Sequence, residues 1–79
     1  MAVKFTALLS RKNKELEAKV AEALRHEPVA RAGGRANPRE LTFQLRSTKD
    51  AINARMRVYN LMKKLGEEVT VKIEGIAYR

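Results

Sequence analysis

The sequence predicts a small α/β or α+β domain in two layers, with two helices packed on a three-stranded sheet in the order β-α-β-α-β. Three observations lead there. Ser47 to Leu65 (STKDAINARMRVYNLMKKL) and Ser10 to His26 (SRKNKELEAKVAEALRH) carry apolar residues at helical spacing. Three shorter stretches alternate with period two, the mark of strands with one buried face. A length of 79 residues leaves room for a single domain, residues 1–79, with a core at the small end of what folds alone. Such a core gains from self-association, so a homodimer is compatible with it.

Ala2 to Leu9 (AVKFTALL) places Val3, Phe5 and Ala7 on one face, with Lys4 and Thr6 between them. In the first helix Leu16, Val20, Ala23 and Leu24 form the apolar stripe, and either Ser10 or Asn13 is a suitable cap. Arg11, Lys12 and Lys14 near its amino end oppose the helix dipole. Glu27 to Glu40 (EPVARAGGRANPRE) is punctuated by Pro28, Gly33, Gly34 and Pro38 and joins the two halves of the chain. It reads as a flexible connector, with an arm that orders on binding as the alternative.

Leu41 to Arg46 (LTFQLR) is a strand with Leu41, Phe43 and Leu45 on its apolar face. The second helix follows at once. Ser47 and Asp50 form a capping-box-like start, while Lys63, Lys64 and Gly66 mark the stop. Ala51, Ala54, Val58, Leu61, Met62 and Leu65 share the arc expected to face a core. Ile52, Met56 and Tyr59 form a shoulder beside it, read first as completing the core and otherwise as an exposed patch for a partner. Glu67 to Tyr78 (EEVTVKIEGIAY) returns to strand periodicity, with Gly75 at a bend before Ile76 and Tyr78. The pattern leaves the order of strands open.

Charge is the strongest global feature. The net charge is +8, and residues 41–66 carry six Lys/Arg against one Asp. That excess points to a polyanion, nucleic acid first, with an acidic protein surface as the other reading. No cysteine is present, which excludes disulfides and thiolate metal sites. A cytoplasmic, non-membrane protein is expected, since no apolar run reaches the length of a span and no leader pattern opens the chain.

Enzymatic constellations are sparse. His26 is the single histidine, and no serine-histidine pair or HExxH motif accompanies it. Glu67 and Glu68 read as surface carboxylates at a turn. The expectation is a protein without enzymatic activity, metal or cofactor.

Binding chemistry is better represented. Lys49, Asn53, Arg57, Asn60 and Lys64 fall on the polar arc of the second helix. Amide side chains suit adenine edges, arginine suits guanine and lysine suits phosphate. The same residues would also serve as an ordinary solvated face. Arg31, Arg35 and Arg39 in the Gly/Pro-rich connection are expected to follow a backbone as a mobile arm. The function read from these features is a small basic nucleic-acid-binding protein, DNA or RNA, with a regulatory or accessory role. The alternative is a protein-interaction module, an inhibitor or adaptor, that meets an acidic surface or a sheet edge of another protein.

Overall fold

The computed structural model describes residues 3–35 and 37–75. Its elements are β1 (Val3–Leu9), α1 (Lys14–Leu24), β2 (Ala30–Ala32), β3 (Arg39–Leu45), α2 (Thr48–Leu65) and β4 (Val69–Gly75). The sheet has four strands in the order β2-β3-β1-β4, and every neighbouring pair is antiparallel. It follows that β1 and β2 run parallel with β3 between them, and β3 and β4 run parallel with β1 between them. Each helix therefore joins two parallel strands that straddle a third, the split βαβ arrangement of a βαββαβ chain. The class is α+β.

The expected sheet of three strands is corrected to four. The added strand, β2, lies inside the Glu27–Glu40 stretch that reads as a connector. Its Ala-Arg-Ala sequence is only three residues long and has no large apolar side chain to betray it, and its register comes from β3: Ala30 opposes Thr42 and Ala32 opposes Glu40. The return to β3 needs glycine at position 33. Its φ is 76°, and a Cβ there would collide with the Pro38 carbonyl oxygen. The Gly34 N–H then donates to the Asn37 carbonyl at 3.0 Å, closing the loop. Ile76 and Tyr78, read as a continuation of the last strand, lie outside the described residues.

Both helices cover one face of the sheet. Val3, Phe5, Ala7 and Leu9 of β1 and Leu41, Phe43 and Leu45 of β3 point into the core. Leu16, Val20 and Leu24 of α1 and Ala51, Ala54, Val58 and Met62 of α2 close it from above. Phe5 sits directly opposite Phe43. Their rings meet edge to face at 6.1 Å, a pairing that contributes about 0.5–1.5 kcal/mol beyond burial.

Local signals fix where the helices begin and end. The Asn13 side chain accepts from the backbone N–H groups of Glu15 and Leu16, so Asn13, and not Ser10, caps α1. Arg11 and Lys12 thereby stay outside the helix. Ser47 Oγ accepts from the Asp50 N–H at 3.1 Å, and Gly66 closes α2 in the left-handed conformation.

The shoulder of α2 does not complete the core. Ile52, Met56 and Tyr59 are 41%, 57% and 42% exposed. They project roughly 100° away from the arc through Ala51, Val58 and Met62, past the reach of the sheet below. Leu65, expected on the buried arc, is also exposed at the last turn.

Candidate nucleic-acid interface

Because Ala51, Ala54, Val58 and Met62 seat α2 on the sheet, the opposite arc faces outward for the full 18 residues of the helix. Lys49, Asn53, Arg57, Asn60 and Lys64 are all exposed on it. From Lys49 to Lys64 the stripe extends for about 22 Å at the helical rise. Lys63 flanks it on the shoulder side, Arg55 is exposed beyond the shoulder beside the buried arc, and Arg46 is exposed just before the cap. Arg46 was absent from the set read from the sequence. Its signal was its place on the polar face of the β3 pattern immediately before Ser47.

The helical layer is electrically lopsided. Helix α2 holds five cations against Asp50, whereas α1 holds Lys14 and Lys19 against Glu15, Glu17 and Glu22. Among the described residues, the ion pairs all lie off α2: Lys4–Glu74, Arg11–Glu67, Arg31–Glu17, Arg31–Glu27 and Arg39–Glu17. The cations of α2 thus have no carboxylate of the described chain within 4.0 Å. A solvated face of this kind keeps its full attraction for an external polyanion, since no internal partner has to be displaced first.

The three arginines of the connection part company. Arg39 turns inward. Its Nε donates to Glu17 at 3.0 Å, a second nitrogen reaches the other carboxylate oxygen at 3.4 Å, and a third donates to the Gly33 carbonyl at 3.3 Å. With its side chain 12% exposed, Arg39 ties α1 to β3 and to the hairpin loop. Arg31 lies 3.6 Å from Glu17 and 3.8 Å from Glu27, so it too is held against α1. Arg35 remains exposed in the loop. The mobile arm expected from the sequence is, at Arg31 and Arg39, a hairpin anchored on one glutamate.

The open face of the sheet offers different chemistry. Its alternate residues include Lys4 of β1, Thr42 and Gln44 of β3, and Lys72 and Glu74 of β4, with Thr6 of β1 buried among them. Phe5 and Phe43 point the other way and are fully buried, so among the described residues this face has no aromatic platform for stacking bases. Two open grooves lie elsewhere among the described residues. One, of about 900 Å³, runs between α1 and β2 and mixes Lys12, Arg25 and Arg31 with Glu17, Glu22 and Glu27. The other, of about 750 Å³, lies at the C-terminal end of α2, against Leu8, Tyr59, Met62 and Val69. Neither coincides with the α2 stripe.

His26 is exposed beyond the end of α1, with its backbone N–H donating to the Ala21 carbonyl. Among the described residues no three His, Cys, Asp or Glu side chains gather as a metal site, and no helix is long and apolar enough to cross a membrane. Comparison with protein-family models, curated proteins and solved structures finds no match, so the fold and its surface carry the functional reading.

Proposed function

We propose that this chain is a small, non-enzymatic, cytoplasmic nucleic-acid-binding protein with a regulatory or accessory role, contacting its polymer through the outer face of α2. The observation that carries the reading is the concentration of exposed cations on α2, where five stand against Asp50 alone and none forms an ion pair with a described carboxylate. Lys49, Arg57 and Lys64 supply phosphate contacts, and Asn53 and Asn60 are spaced to meet base edges or further phosphate oxygens. Arg46, Lys63 and Arg35 extend the positive surface. Arg31 and Arg39 shape the hairpin that presents Arg35.

The absence of an aromatic platform on the described sheet face favours a duplex over single strands, where stacking supplies much of the affinity. A stripe of about 22 Å passes roughly thirteen duplex phosphates, counted over both strands. That is ample for every cation on the helix.

The second reading, a protein-interaction module, draws on the exposed Ile52, Met56 and Tyr59 beside this face. Charge reversal separates the two. Arg57→Glu combined with Lys64→Glu touches exposed groups only, so the fold should persist by circular dichroism. Duplex affinity should fall at least tenfold in a fluorescence anisotropy titration. Unchanged affinity in a folded variant would remove α2 as the interface.

A further inference from the structure

We infer that β4 is a self-pairing edge, and that two copies of this chain join antiparallel through it about a two-fold axis at Ile73. The inference is independent of the nucleic-acid reading and leaves the outer stripe of α2 free.

The two edges of the sheet differ. On one side β2 is three residues long and braced by Arg31, a short edge of the kind that resists addition of strands. On the other, β4 offers seven residues without proline, and among the described residues nothing pairs with its outer side. The core is also incompletely closed there. Val3, Phe5, Ala7 and Leu9 of neighbouring β1 are fully buried, yet Val69, Val71 and Ile73 on the same face of β4 are only partly covered. The exposed shoulder of α2, the helix with the most extensive packing against β4, adds Ile52 and Met56 to the uncovered apolar surface. Edge, open core and shoulder together make a surface that a second strand and helix would cover.

Charge decides which partner fits and in which register. In a two-fold antiparallel pairing, residues that face each other must lie on the same side of the sheet. An axis at Lys72 would set Lys72 against its own copy, and an axis at Glu74 would do the same for Glu74, both repulsive. An axis at Val71 would oppose Lys72 with Thr70 and gain no charge pairing. An axis at Ile73 opposes Lys72 with Glu74 of the second copy, twice by symmetry. It also places Ile73 against itself on the helix side and Val71 against Gly75. Glu74 already accepts Lys4 at 3.7 Å and is 63% exposed, so it has room for a second cation. Among the axes that pair most of β4, those at Val71, Lys72 and Ile73, the strand is thus complementary to itself in one register. Lys72 acts there as a selector: it discourages other strands and finds a carboxylate in a copy of its own chain.

The test uses the full chain. Sedimentation equilibrium from low micromolar to near-millimolar concentration should show a reversible monomer–dimer transition. Lys72→Glu should raise the dimer dissociation constant about tenfold, because both symmetry-related pairs become repulsive. Adding Glu74→Lys to that variant should restore it to within about threefold.

The chain has no cysteine, so single introduced thiols report the register directly. Cysteine at position 73 should form an intermolecular disulfide on mild oxidation, since facing Cα atoms lie about 4.5–5.5 Å apart. Cysteine at position 71 should not, because its own copy is about 13 Å along the strand. A wild-type chain that stays monomeric throughout would overturn the proposal. So would cross-linking at 71 in preference to 73, or a charge swap that fails to restore association.

Discussion

Replacing Glu17 with alanine removes the carboxylate on which α1, β2 and β3 converge. Glu17 is 8% exposed and accepts from Arg39 at 3.0 and 3.4 Å, with Arg31 3.6 Å away. The Arg39 contact is well sheltered, and a hydrogen-bonded charged pair of that kind contributes about 1.5–3 kcal/mol net. Arg31 is half exposed and adds roughly 0.5 kcal/mol. The variant should therefore lose about 2–3.5 kcal/mol, with Arg39 left sheltered and unpaired.

A domain of 79 residues has roughly 4–12 kcal/mol of stability in all, so the loss is a large fraction of it. Urea denaturation should show the shift in midpoint, and thermal melting should fall by roughly 10–20 °C. The effect should also be local. Val29 donates its N–H to the Thr42 carbonyl at 2.7 Å and Gly34 to Asn37 at 3.0 Å, so both amides should lose protection from hydrogen exchange before the β1–β3 pairs do. Changing both Glu17 and Arg39 to methionine should recover most of the loss, because an apolar pair leaves no buried charge unpartnered. A Glu17→Ala protein within about 0.5 kcal/mol of wild type, with Val29 and Gly34 still protected, would refute the anchoring role assigned to this residue.

Two further perturbations probe the backbone. Gly33→Ala should destabilise by about 2 kcal/mol or more in urea denaturation, because the new Cβ meets the Pro38 carbonyl and the φ of 76° disfavours a side chain. Arg25 holds a left-handed φ of 57° at the end of α1, so Arg25→Gly should stabilise by about 0.5–1 kcal/mol in the same assay.

Legibility in the sequence followed the range of the interactions involved. Helix α2 was readable to the residue because its signals are local: the Ser47 side chain caps one end by accepting the Asp50 N–H, and Gly66 caps the other. The start of α1 was ambiguous between two good caps. Asn13 takes the role because β1 runs to Leu9 and the residues after it bridge from strand to helix. Strand β2 was hidden because Ala30–Ala32 owe their conformation to pairing with β3 and to an arginine held by a distant glutamate. The same non-local glutamate separates Arg39 from Arg35, two arginines that look alike in sequence. The shoulder of α2 was misplaced for a related reason. A hydrophobic arc shows how much of a helix prefers burial, and only the sheet's width shows how much is covered. With β4 at the edge, Ile52, Met56 and Tyr59 are left outside.

The most direct test of the central claim is the salt dependence of binding, measured by fluorescence anisotropy with labelled duplex DNA, single-stranded DNA and RNA. With Arg46, Lys49, Arg57, Lys63 and Lys64 engaging phosphates, log K against log salt should fall with a slope of about −4.5 on duplex DNA. Micromolar or tighter affinity should survive near physiological salt, with a duplex preferred over single strands. Weak binding that vanishes there, equal for all three polymers, would contradict the account and assign the charge on α2 to some other partner.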